Sequence, residues 1–194
     1  MKADRASKMH GEDEGRKPGW AVWITGLPAS GKSTVTASLI RKLREKGVYA
    51  EVLESDKLRQ VLTPQPTYSE PERDHFYNVM VYIGHLLSKN GVNVIFDATG
   101  NKRAYRERAR ALIPAFVEVY LKCPLQVAMQ RDRKGTYALA ETGRSRTVPG
   151  LQSVYEEPLH PDVVIESDRL LPDEAADIVL HLMAERGLIP NGYR

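Results

Sequence analysis

The chain has 194 residues with a formal net charge of +3, 27% charged residues and a single cysteine, Cys123. That length suits one domain able to bury a core unaided, and one cysteine excludes an internal disulfide or a cysteine metal cluster. The mild charge and pI near 8.9 suit polyanionic ligands but argue against nucleic acid as a partner. The absence of any run near the ~18 apolar residues of a membrane span argues against a membrane partner, so a soluble cytoplasmic protein is expected.

Residues 1–17 are polar, charged and without periodicity, and read as a loosely docked arm preceding a domain over 18–194. The first apolar β-type run is Ala21 to Thr25, and Gly26-Leu27-Pro28-Ala29-Ser30-Gly31-Lys32-Ser33 follows it directly. This is a complete G-x-x-x-x-G-K-[ST] phosphate-binding loop. Its glycines let the backbone wrap a phosphate chain, Lys32 reaches the β- and γ-phosphates, and Ser33 offers a hydroxyl to Mg²⁺. Thr34 continues into an amphipathic helix over Ser33 to Lys46, with Val35, Leu39, Ile40 and Leu43 on one face. Strand, loop and helix in this order put the phosphates on a helix N-terminus and predict a binder of nucleoside triphosphates.

Further strands are expected at Tyr49–Leu53, Val92–Phe96, Phe116–Leu121 and Val163–Ile165. Helices are expected near Arg73–Lys89, Arg103–Ile113, Leu125–Arg131 and Pro172–Glu185. The alternation predicts an α/β three-layer sandwich with a five-stranded parallel sheet, ligands binding at the carboxyl ends of its strands.

After the second strand, Asp56 and Arg59 fall where a carboxylate could accept a hydroxyl proton and a guanidinium could hold an anion; the alternative is a helix-capping aspartate with a surface arginine. Tyr68, in a Pro- and Thr-rich loop, is a candidate to stack on a base, whereas Phe76, Tyr77 and Tyr82 follow helical spacing and read as core. Asp97 ends the third strand and reads either as an Mg²⁺-holding carboxylate or, with Thr99, as a cap of the next helix. After the fourth strand, Arg131, Arg133, Lys134, Arg144 and Arg146 punctuate a Gly-, Thr- and Ser-rich stretch. Over about 132–158 it reads as a lid that closes on phosphates.

These pieces together resemble the adenylylsulfate kinase family. The likeness runs from about Gly19 to Asp168, through Trp23-Ile24-Thr25-Gly26-Leu27, Arg131-Asp132, Lys134-Gly135-Thr136-Tyr137, Gly150 and Tyr155-Glu156-Glu157-Pro158. The resemblance implies transfer of the ATP γ-phosphoryl to the 3′-hydroxyl of adenosine 5′-phosphosulfate, and a homodimer. It assigns Asp56 to the acceptor hydroxyl, Arg59 and Arg73 to the phosphosulfate end of the acceptor, Tyr68 to the acceptor adenine and Lys134 to the phosphates. Arg131 falls with the ATP-binding residues. The departures cluster on the acceptor side. Glu54-Ser55-Asp56-Lys57 replaces a common Asp-Gly-Asp-Asn, Phe76 stands where the family has asparagine, and Val148-Pro149-Gly150 lacks a second aromatic ring. Asp97-Ala98-Thr99-Gly100-Asn101 replaces an Ile-Ser-Pro element. A kinase of the same build with a different hydroxyl acceptor therefore remains an alternative, as does a non-catalytic ATP-binding protein.

Overall fold

The computed structural model describes residues 17–190. The expected arm over 1–17 lies, apart from Lys17, outside the described residues. Five strands form one parallel sheet: β1 (Ala21–Thr25), β2 (Glu51–Glu54), β3 (Val94–Asp97), β4 (Phe116–Lys122) and β5 (Val163–Glu166), in the order β2-β3-β1-β4-β5. Seven helices intervene: α1 (Lys32–Glu45), α2 (Ser55–Leu62), α3 (Glu70–Lys89), α4 (Arg103–Leu112), α5 (Leu125–Gln130), α6 (Thr136–Glu141) and α7 (Pro172–Glu185).

The two-residue period of the strands divides the core. Val22, Ile24, Val117, Val119 and Ile165 face α1 and α7, while Ala21, Trp23, Val94, Phe96 and Phe116 face α3 and α4. Trp23 stacks on Phe96 at 4.8 Å and donates its indole N–H to Ala98 O at 2.9 Å. The three-layer α/β sandwich matches the expectation.

The register positions the chemistry. Ile24 of β1 pairs with Asp97 of β3, and Asp97 with Glu54 of β2, so the three strands finish level. Strand order reverses at β1, which makes the crevice outside these ends a topological switch point.

Several boundaries differ from the sequence reading. β3 starts at Val94, and the Asn93 side chain ties the approach to it, accepting from Trp20 N and donating to Tyr49 O. α3 starts three residues before Arg73, at Glu70, with Ser69 at the cap, Pro71 in the first turn and two glutamates against the helix dipole. The segment expected to form a lid is not all loop. It contains α6, packed through Tyr137 and Ala140 onto Cys123, Ala128 and Val148 as a small core of its own.

Candidate active site

The P-loop bends through Gly26 (φ 155°), Ala29 (φ 57°) and Gly31 (φ 98°), and only the middle residue pays a side-chain penalty for a left-handed backbone. A Cβ on Gly26 would lie 2.5 Å from Leu121 O, so the strand-to-loop turn requires glycine. Lys32 opens α1 and folds back under the loop, donating to Gly26 O at 3.1 Å and Leu27 O at 2.8 Å. Burial pulls its ammonium down to about 8, with the charges of Asp97 and then Asp56 working in the opposite direction. The Ser30 hydroxyl is buried without a protein partner inside the same loop.

Asp97 is 4% exposed. Burial raises its pKa against a hydrogen bond from Ser33 and the charge of Lys32. The cap of α4 is Lys102, so neither Asp97 nor Thr99 caps that helix, which removes one of the two sequence readings. Ser33, Lys32 and Asp97 thus meet at the ends of β1 and β3.

On the β2 side, the cap of α2 is Glu54, and Asp56 sits inside the first turn. The capping reading of Asp56 is therefore replaced by a carboxylate that faces across the site, where its Oδ2 lies 2.6 Å from Lys134 Nζ of the lid. Arg59 is 9% exposed and sandwiched, its guanidinium 3.9 Å from the Phe76 ring and 4.9 Å from the Tyr68 ring. Arg73, equally buried, donates to Tyr68 O at 3.0 Å and to Thr147 O in the tail of the lid. Tyr68 itself adopts φ 54°, its ring spread over Arg59 and, at 5.8 Å, Arg73. The aromatic expected to stack on a base therefore lies against the two arginines expected to hold the acceptor anion.

The segment expected to form a lid is tied at several points. Tyr137 donates its hydroxyl to Pro28 O in the P-loop at 3.1 Å, and Arg131 donates to Ser167 O beyond β5 at 3.0 Å. Beyond the lid core, Tyr155 OH meets Thr25 Oγ1 at 3.0 Å. Buried Arg106 contacts Glu118 at 2.6 Å and donates to Gly100 O and Glu156 O, locking the Asp97–Asn101 loop to the Tyr155–Pro158 segment. A cavity of about 680 Å³ opens between the ends of β4 and β5 and Gly150–Tyr155. It touches the P-loop only at Leu27 and contains none of Lys32, Asp56 or Asp97, so it flanks the chemistry without holding it. Glu72, Thr147 and Arg106 were not singled out from the sequence. The one local signal was the glutamate at the third position of a helix opening Ser-Glu-Pro-Glu.

A phosphate-binding loop at a switch point and a buried carboxylate on its serine define a P-loop kinase. Residues 18–166 match the sequence profile of the family described as adenylylsulphate kinase. The chain is 39% identical over 172 residues to the probable adenylyl-sulfate kinase of Pyrococcus abyssi, covering 89% of this chain and 99% of the relative. It is 37% identical over 174 residues to the adenylyl-sulfate kinase of Gloeothece citriformis, covering 90% and 99%. Its fold superposes with a TM-score of 0.80 on the Mycobacterium tuberculosis APS kinase CysC, solved in complex with AMPPNP and APS, at 36% identity over 86% of this chain and 98% of that one. The chain belongs to the adenylylsulfate kinase family.

Proposed function

We propose that the chain transfers the γ-phosphoryl of ATP to the 3′-hydroxyl of adenosine 5′-phosphosulfate, giving 3′-phosphoadenosine 5′-phosphosulfate. The observation that carries this reading is the convergence of Lys32, Asp97 and Asp56 at the level ends of β1, β3 and β2, beside buried Arg59 and Arg73.

The backbone N–H groups between Gly26 and Thr34, other than at Pro28, and the Lys32 ammonium hold the β- and γ-phosphates and offset charge that develops on the leaving oxygen. Arg131, at the C-terminal cap of α5, is assigned to the ATP side. Asp56 orients the acceptor hydroxyl and takes its proton on a carboxylate oxygen as the new O–P bond forms and the bond to ADP breaks. Arg59, Arg73 and Lys134 hold the anionic partner in line, and Tyr68 offers its ring to the base. Closure of the lid excludes water and so favours transfer over hydrolysis.

Ser33 and Asp97 fit Mg²⁺, since a hydroxyl and a buried carboxylate already in contact are the hard oxygen donors that this ion takes. Bound with ATP, the ion neutralises charge across the β,γ-phosphates. The reading includes a cytoplasmic homodimer; Tyr82 and Leu86 of α3 and Leu112 of α4 are exposed apolar side chains available to a second copy, and sedimentation velocity tests the dimer.

The experiment is a coupled ADP-release assay with Mg-ATP and adenosine 5′-phosphosulfate, its product identified by mass spectrometry. A 3′-phosphorylated product at ordinary kinase turnover is expected; ATP binding with no such product overturns the reading. A second reading, the same chemistry on a different hydroxyl acceptor, is favoured by Val148 being buried in the lid core and Phe76 being occupied by Arg59. A panel of nucleotides and small hydroxyl compounds decides between them.

A further inference from the structure

We propose that Glu72 is the positioning residue of the acceptor subsite, one carboxylate that sets both the Tyr68 loop and the Arg59 guanidinium. The inference rests on the reading that Arg59 and Tyr68 receive the acceptor.

Glu72 occupies the third position of α3, where a glutamate ordinarily reaches back to the amide of the capping residue. Here it reaches further. Its Oε2 accepts from Thr67 N and Thr67 Oγ1, both at 2.6 Å. Its Oε1 accepts from Tyr68 N at 3.2 Å and from Arg59 Nη1 at 3.3 Å. The vacated amide of Ser69 is taken by Thr67 Oγ1 at 3.3 Å. The carboxylate side chain is 17% exposed, so these bonds form in a partly desolvated setting where charge-assisted contacts are strong. Burial raises its pKa, but donation from the Thr67 hydroxyl, then the Thr67 and Tyr68 amides, outweighs that and leaves it lowered.

Tyr68 is one of only two non-glycine residues with positive φ among the described residues; the other, Ala29, sits in the P-loop. Such a backbone persists only where its surroundings over-determine it, and at Tyr68 the determinant is Glu72 together with Arg73, which holds the Tyr68 carbonyl. Fixing that backbone fixes the ring over Arg59, while the same carboxylate draws Arg59 toward α3 and against Phe76. Glu72 touches neither the P-loop nor Asp56, so its effect is confined to acceptor binding.

The test compares Glu72→Gln, Glu72→Asp and Thr67→Val with the wild-type chain in steady-state kinetics and amide hydrogen exchange. Loss of hydrogen bonds to a charged group predicts an acceptor KM about ten-fold or more higher in Glu72→Gln. ATP KM and kcat are expected to stay near wild type. Exchange at the Thr67 and Tyr68 amides is expected to accelerate, and Glu72→Asp to recover part of the KM. An unchanged acceptor KM, or a parallel loss in kcat and both KM values, overturns the positioning role. Thr67→Val removes a single hydroxyl and carries the same KM test where Glu72→Gln fails to fold. Should the wild-type chain bind ATP and give no product with adenosine 5′-phosphosulfate, the acceptor reading fails by itself; unaltered exchange at Thr67 and Tyr68 fails the positioning inference whatever the acceptor.

Discussion

Lys134 of the lid places its ammonium 2.6 Å from the Asp56 carboxylate in the first turn of α2, joining residues 78 positions apart across the mouth of the site. Both side chains are more than half exposed, so the pair contributes only about 0–1 kcal/mol. Asp56→Asn is expected to lower kcat by about 10²–10⁴ while leaving ATP affinity near wild type, since its hydrogen bond goes to Lys134 rather than to the P-loop and its charge ranks behind that of Asp97 at Lys32. Single-turnover kinetics with nucleotide-binding calorimetry check this, and near-normal turnover removes Asp56 from its role. Lys134→Ala is expected to raise KM without shifting the melting temperature.

The depressed pKa of Lys32 predicts a proton linkage. Above about pH 8 the buried amine is increasingly neutral in the free enzyme, and bound phosphates restore its charge. ATP binding should therefore take up protons at pH 8.5 but hardly any at pH 6.5, where the amine is already charged. Calorimetry in two buffers of different ionisation enthalpy measures the uptake. In Lys32→Ala both the uptake and phosphoryl transfer are expected to vanish.

Arg106 and Glu118 form a buried ion pair, and Arg106 also holds the carbonyls of Gly100 and Glu156. Removing one partner leaves an uncompensated buried charge, so Arg106→Met or Glu118→Gln should lose about 3–5 kcal/mol of stability. Urea unfolding reads the loss. A change within 1 kcal/mol in Arg106→Met would show that Arg110, 3.4 Å from the same carboxylate, is enough to keep Glu118 paired.

Gly84 lies in the interior of α3, where glycine is ordinarily unfavourable. A Cβ there would fall 2.1 Å from the Phe96 ring, which in turn stacks on Trp23. Gly84→Ala is therefore expected to destabilise by about 1–3 kcal/mol by overpacking, against the gain in helix propensity. Thermal unfolding with the sign of the shift decides between the two effects.

Much of this molecule was legible in its residues. The P-loop is a local device whose spacing carries its own geometry. The sheet could be read because strands buried on both faces are near-continuous apolar runs, and the carboxyl-end rule then pointed to Asp56 and Asp97. What the chain could not show were contacts whose partners are remote. Glu72 meets Arg59 across 13 positions, and Arg73 meets Thr147 across 74. The two capping readings also needed the structure, because a polar residue after a strand looks the same whether it caps a helix or faces a ligand.

Sequence by itself therefore determined the fold class, the donor loop and the residue types available at the strand ends, since hydrophobic period and glycine spacing act over short stretches of chain. Only the tertiary structure decided which of those groups meet: Ser33 with Asp97, Lys134 with Asp56, and Glu72 with Arg59. The reason is that sheet register and lid packing, which no short stretch encodes, bring these side chains within hydrogen-bond reach.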